Sequence, residues 1–217
     1  TYEALLLPGV VTDTEDVTGT VLERHPAALT EAAVEAVLPR FRGEILQVPP
    51  MYSALKVNGQ KLCDLARKGQ TVERKPRPVT IHELAFLGFQ DDCLRLRVRC
   101  SKGTYIRTLC KDLGEALGCG GCMAQLRRVS AGSYTIGQAV PLETLLESAD
   151  PGQYLLPVDS LFASLPALTL TPNQETRCRN GNPFTRNVPD GRYRCYGKSG
   201  EFLMLGSVRD NVMSTVK

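Results

Sequence analysis

The sequence predicts an α+β protein: a mixed, mainly antiparallel sheet flanked by helices over residues 1–150, then a linker and a small β-rich domain over 151–217. Three observations carry this. Strand-like alternation and helical apolar stripes occur side by side through the first part. A turn signal at Asp150-Pro-Gly marks a boundary. The tail, from about Ala167, is rich in Gly, Asn and short apolar runs such as Phe202-Leu-Met-Leu-Gly-Ser-Val208. With 217 residues and 42% hydrophobic side chains, the chain can fill one substantial core or a larger and a smaller one.

Residues 2–11 read as a strand, and the polar stretch Thr12–Gly19 as a turn leading to a second strand near Thr20–Glu23. Thr30 is a suitable N-cap for a helix carrying Ala33, Val34, Val37, Leu38 and Phe41 at helical spacing. The proline-interrupted stretch Gln47–Lys56 turns at Asn58-Gly59, and a short helix over Lys61–Lys68 stops at Gly69. Val79–Phe89 and Leu94–Cys100 read as strands joined at Gln90-Asp-Asp. In the second, Leu94, Leu96, Val98 and Cys100 alternate with Arg95, Arg97 and Arg99, the mark of a half-buried strand with a cationic outer face. Ser101–Thr104 breaks into a helix whose stripe is Ile106, Leu109, Cys110, Leu113 and Leu117; Gly118 and Gly120 end it. Met123–Tyr134 reads as another strand and Leu142–Leu146 as a short helix.

The net charge is only +3, but it is concentrated. Lys56–Pro78 holds seven basic and two acidic residues, and Arg95–Lys111 six basic and none acidic, with Arg127 and Arg128 close behind. Two such segments suit a polyanion such as RNA, or else form solvated cationic faces. The charged fraction, 23%, is that of an ordinary globular protein. No apolar run has membrane-spanning length and no secretory leader is apparent, so a cytoplasmic location is expected. Eight cysteines include Cys93, Cys100 and Cys110 inside apolar-periodic stretches, where a small buried thiol is the usual occupant. Cys119-Gly-Gly-Cys122 is the one C-x-x-C, and neither His25 nor His82 completes a metal-ligand spacing.

Enzyme signatures are few: there is no phosphate loop, nucleophile elbow or metal-binding His cluster. Asp13 and Asp16 form either a carboxylate pair or a turn held by Asp side chains. The most informative stretch is Cys100-Ser-Lys-Gly-Thr-Tyr-Ile-Arg-Thr108. A glycine turn there brings Tyr105 and Arg107 to a helix N-terminus, where free N–H groups and the helix dipole favour an anion. Arg107 can fork to a carboxylate or phosphate, or sit in a structural salt bridge; Tyr105 can pack on a base.

Ser101–Arg107, Asp112-Leu-Gly114 and Leu126-Arg-Arg128 closely resemble the bacterial tRNA pseudouridine-55 synthase (TruB) family. So do Pro50-Met-Tyr-Ser-Ala-Leu-Lys-Val-Asn-Gly59 with Leu65-Ala-Arg67, and Tyr2 followed by Gly9 and Thr12–Asp16. Asn180-Gly-Asn-Pro183 is similar to the family's small C-terminal PUA-like domain. The resemblance implies the pseudouridine synthase catalytic fold over 1–150, a thumb loop over about 45–72 and a PUA-like domain after it. It implies an enzyme that flips uridine 55 of the tRNA T-loop out of its stack and isomerises it, with no cofactor and no metal. An aspartate drives glycosidic cleavage, and the uracil is rejoined through C5.

Carried over by position, Arg107 matches the arginine that pairs with this aspartate. Tyr2 matches a tyrosine that stacks on the base and is a candidate for removing the C5 proton. Tyr105 and Leu126 match residues lining the uracil pocket. Lys56, Lys61, Arg67 and Lys68 in the thumb, with Lys102, Arg127 and Arg128, are expected to meet RNA phosphates. The expected partner is the tRNA T-stem-loop, with no membrane and no obligatory protein partner. One departure is serious: the family's aspartate loop, G-x-L-D-P-x-A-x-G, occurs nowhere in the 217 residues. The expectation is therefore a chain that starts partway into the catalytic domain and is inactive as it stands. Two alternatives remain, a non-catalytic tRNA-binding or tRNA-folding protein and a related synthase directed to another RNA by partners.

Overall fold

In the computed structural model, which describes residues 1–216, the apolar opening run becomes β1 (Tyr2–Pro8), with Ala4, Leu5 and Leu6 buried. β2 (Val10–Thr12) and β3 (Val21–Arg24) form a small ribbon around the polar turn. α1 (Glu31–Val37) starts on Thr30, whose hydroxyl accepts from Ala33 N–H, and it tightens into a 3-10 turn over Leu38–Phe41. β4 (Gly43–Gln47) leads into the proline-rich stretch. A two-residue ribbon, β5 (Lys56–Val57) and β6 (Gln60–Lys61), then turns on Asn58 and Gly59, both at positive φ, and α2 (Leu62–Arg67) follows. β7 (Arg77–Gln90) and β8 (Cys93–Cys100) form a long hairpin whose turn puts Asp91 and Asp92 at positive φ, a conformation Asp tolerates better than most side chains. Alternation along β8 is as expected: Leu94, Leu96 and Val98 are buried and Arg95, Arg97 and Arg99 exposed.

α3 (Ile106–Ala116) follows, then β9 (Gly121–Arg128). The main sheet has the order β4-β7-β8-β1-β9, and every pairing in it is antiparallel. The first strand of the sequence is thus interior to the sheet, between β8 and β9. α1 and α3 lie on one face: Val34 and Leu38 from the first, and Ile106, Leu109, Cys110 and Leu113 from the second, pack on Ala4, Leu6, Ile81, Leu84, Leu94, Leu96 and Val98. Close approach of α3 to β9 depends on glycine. A Cβ on Gly114 would collide with the backbone of Gly120 and Gly121, so the Gly-Gly of the C-x-x-C is a packing surface.

Two expected strands are shorter than the sequence suggested: 2–11 breaks at Gly9, which takes positive φ, into β1 and the separately paired β2. Met123–Tyr134 is not continuous: β9 ends at Arg128, and β10 (Ser130–Ala131) pairs with β11 (Tyr134–Thr135) across Gly132. At the break, the N–H groups of Val129 and Ser130 both donate to the Thr1 carbonyl, and Gly132, at positive φ, turns the chain back.

Two compact units result, Thr1–Gln138 and the remainder from Ala139, so that α4 (Leu142–Glu147) belongs to the second unit although the sequence placed it ahead of a boundary at Asp150. The second unit continues through β12 (Ala167–Thr169), α5 (Pro172–Arg179), β13 (Phe184–Thr185), β14 (Gly191–Tyr196), β15 (Phe202–Arg209) and β16 (Val212–Thr215). Its sheet order is β12-β14-β15-β16-β13, with β12–β14 parallel and the remaining pairs antiparallel. Leu170, Phe184, Tyr193, Cys195, Met204, Val208 and Met213 form its core, and α5 opens on a capping box between Thr171 and Gln174.

Candidate functional site

Three pieces of the first unit meet at the end of β1: the first turn of α3, the loop between β2 and β3, and the last residues of β9. They enclose a cavity of about 430 Å³. Tyr2, Tyr105, Arg107, Leu126 and Arg128, chosen from sequence, all line it. The register explains the gathering. Tyr2 lies opposite Val98 on one side and Arg128 on the other, and Ala4 lies opposite Leu126, so the side chains from β1 and β9 share the face that carries α3.

Tyr2 is fixed by Arg128. The guanidinium donates to the phenol oxygen from Nε at 3.1 Å and from Nη2 at 2.9 Å, with its carbon 5.2 Å from the ring centre. Arg107 is the second residue of α3. Among the described residues its guanidinium makes no hydrogen bond and no ion pair, so the structural salt bridge left open by the sequence is not formed. A half-buried guanidinium at a helix N-terminus, unpaired and on a cavity wall, is a site for an anion.

The loop between β2 and β3 settles the question about Asp13 and Asp16. Asp13 Oδ1 accepts from Thr20 N–H, and Asp16 Oδ1 accepts from the N–H and the hydroxyl of Thr18. Both side chains brace the turn, although Asp16 also reaches the cavity wall. Glu15, at positive φ, points the other way. It accepts a 2.5 Å hydrogen bond from the Thr108 hydroxyl, while burial pushes its carboxyl above the usual carboxylate range. Asp112, one turn further along α3, is pushed up to about 6, chiefly by burial. The loop is therefore stitched to α3 and to β9, where Met123 exchanges backbone bonds with Glu15 and Val17.

Sequence reasoning did not single out Tyr52, Thr104 or Met123, which complete the wall. Tyr52 could have been found, since it stands inside the motif Pro50–Gly59; Met123 could not, because nothing local distinguishes it from a core methionine. The remaining sequence candidates lie away from the cavity. Lys56 and Lys61 are exposed and face each other across the β5–β6 ribbon. Arg67 and Lys68 are exposed at the end of α2, with Arg67 3.5 Å from Asp64. Lys102 borders a smaller cavity beside the turn before α3, and Arg127 points to the opposite sheet face with Glu3 and Arg95.

Two family models match the chain: TruB family pseudouridylate synthase (N terminal domain) over residues 1–106, and tRNA pseudouridylate synthase B C-terminal domain over residues 107–163. Among curated proteins, tRNA pseudouridine synthase B of Stutzerimonas stutzeri (strain A1501) is 46% identical over 97% of this chain and 72% of its own length. That of Dechloromonas aromatica (strain RCB) is 49% identical over 95% and 70%. Solved structures share the fold at low identity. A Cbf5-Nop10-Gar1 complex matches at TM-score 0.65 and 19% identity, covering all of this chain and 65% of that one. An H/ACA RNP bound to a substrate RNA containing 2'-deoxyuridine matches at TM-score 0.67 and 16% identity, covering all of this chain and 64% of that one. Identity sustained at this level across nearly the whole chain makes this a member of the TruB family of pseudouridylate synthases.

Proposed function

We infer that this chain grips the T-stem-loop of tRNA and holds uridine 55, flipped out of its stack, for conversion to pseudouridine. The supporting observation is the convergence on one cavity of Tyr2, Tyr105, Leu126 and Arg107, the last without an ion pair among the described residues. In this reading Arg107 orients a carboxylate against the target nucleoside. Tyr2, held by Arg128, stacks on the uracil, and Tyr105 and Leu126 line the pocket. The reaction breaks the C1′–N1 bond and forms C1′–C5; a proton leaves C5 and N1 gains one, so substrate and product are isomers. Tyr2 is the cavity group suited to take the C5 proton. The tail from Asn180 to Pro183 belongs to a PUA-like domain, and the protein works in the cytoplasm without an obligatory protein partner. Its eight cysteines stand as free thiols, as a reducing compartment maintains them.

The chemistry requires the family's aspartate, and the 217 residues carry no such loop. Asp16 lies in the Thr12–Gly19 turn and not in a G-x-L-D-P motif, and its Oδ1 braces that turn through Thr18. The test accordingly uses a polypeptide in which the aspartate loop precedes Tyr2, incubated with unmodified tRNA and assayed for pseudouridine. The expected product is pseudouridine at position 55. Arg107→Ala should lower its rate by about 10²-fold or more, as when a transition-state charge partner is removed, with tRNA binding retained. Tight binding without product from the intact polypeptide would favour a tRNA-folding role instead.

A further inference from the structure

Gln47 is the last residue of β4, within the first residues of the 45–72 thumb and immediately ahead of Val48-Pro49-Pro50. It is a polar side chain only 2% exposed. Both ends of its amide are spent on one residue: Oε1 accepts from Tyr105 N–H at 2.8 Å, and Nε2 donates to the Tyr105 carbonyl at 3.1 Å. Tyr105 is the N-cap of α3, and its own side chain makes no capping bond. In a capping box a Glu or Gln at the third helical position reaches back to the N-cap N–H. Here a glutamine from a distant strand makes that bond and adds a second to the carbonyl. The rest of the turn is tied to β7, with Ser101 N–H donating to Thr80 and Thr80 N–H donating to the Ser101 hydroxyl.

The thumb is anchored at the same spot. Arg74, at its far end, donates from Nη1 to the Pro49 carbonyl at 3.0 Å, so both ends of the loop are pinned two residues from Gln47. Tyr52, inside the thumb, lines the same cavity as Tyr105 and Arg107. A small cavity of about 200 Å³ runs alongside, bordered by Gln47, Pro49, Leu55, Arg77, Lys102 and Tyr105.

We propose that Gln47 is a positioning residue that couples the thumb to the uridine cavity, holding Tyr105 and the first turn of α3, and so Arg107, in the geometry set by the RNA-bound thumb. The proposal rests on the function inferred above. Gln47 touches no reacting atom; it acts through the Tyr105 backbone.

The test uses the 217-residue chain with a T-stem-loop RNA carrying 2-aminopurine beside the target uridine. RNA affinity is followed by anisotropy and base extrusion by 2-aminopurine fluorescence. The parent chain should bind and brighten. Gln47→Leu should bind with nearly unchanged affinity and lose most of the brightening, since the thumb cations remain while the pocket loses its register. Gln47→Glu supplies a second measurement. When protonated it can accept from and donate to Tyr105 as glutamine does; when ionised it can only accept, and it repels the carbonyl. Taken relative to the parent's at each pH, because Asp112 and Glu15 titrate beside α3 in both, its brightening should therefore fall as pH rises through the titration of the new carboxyl, which shares its small cavity with Arg77 and Lys102. Circular dichroism checks the fold of each variant, and if Gln47→Leu is unfolded the Gln47→Glu profile decides. Brightening equal to the parent's in Gln47→Leu, or a flat profile in Gln47→Glu, overturns the coupling alone. A parent chain that neither binds nor brightens overturns the function reading and the coupling with it.

Discussion

Arg107 and Tyr2 serve the cavity in opposite electrostatic states. Tyr2 is already committed, its phenol oxygen taking two N–H bonds from Arg128, and that fork fixes the ring before any ligand arrives. Arg107 makes no ion pair among the described residues, so its removal should cost rate more than affinity. The carboxylates below the cavity behave differently again. Asp112 has its pKa raised to about 6 by burial, so the folded protein binds its proton more tightly than the unfolded chain does. The sign follows: folding is favoured by this group at low pH, and the contribution is lost as pH rises from about 4, its unfolded value, through about 6. Glu15 shifts in the same direction. Asp112→Asn should therefore raise the unfolding temperature above pH 6 and flatten its decline between pH 4 and 6. Melting curves of both proteins across that range check it; a steeper decline in the variant would contradict the assignment.

At the level of elements, α3 is the part on which the site depends, and its position is decided by contacts at both ends. Its N-terminus is held by the Ser101 turn and Gln47, and its C-terminal half rests on β9 through Gly114. Gly114→Ala would help an isolated helix, yet here the methyl would enter the Gly120–Gly121 backbone, which cannot move aside as a flexible side chain could. The expected outcome is a loss of roughly 1–3 kcal/mol, the usual cost of overpacking, in urea unfolding. A tilt of α3 would also move Arg107, so activity should fall more than stability alone explains. The β5–β6 ribbon poses the converse problem, with Lys56 placed directly opposite Lys61. Like charges so arranged destabilise a ribbon, and a phosphate between them removes the repulsion.

Across the whole molecule, a net charge of +3 is too small to attract a polyanion strongly by itself, and the cations are concentrated in two segments, Lys56–Pro78 and Arg95–Lys111. The thumb cations and Arg128 all stand on the first unit: Arg128 lines its cavity, while Lys56, Lys61, Arg67 and Lys68 are exposed away from it. If the thumb lysines meet phosphates, affinity should fall steeply with salt. Replacing Lys56 and Lys61 together by Ala should lower the slope of log K against log salt by roughly 1.5, at about 0.7–0.9 per phosphate contact. Titrations at several salt concentrations measure this directly, and an unchanged slope would remove the ribbon from the interface. No helix among the described residues is long and apolar enough to cross a membrane.

Much of this was legible in the sequence because it is local. The alternation on β8, the Thr30 cap, the Asp91-Asp92 and Asn58-Gly59 turns and the stripe on α3 all follow from neighbours along the chain. Ordered motifs further identified Tyr2, Tyr105, Arg107, Leu126 and Arg128 before any geometry was known, and these five meet at one cavity. What the tertiary structure decided is non-local. It split the 123–134 strand after Arg128, gave the C-x-x-C glycines to helix packing and turned Asp13 and Asp16 into braces of a loop. It also spent the Gln47 amide on a residue 58 positions away. Such bonds depend on which strands become neighbours, and no local pattern in the sequence states that.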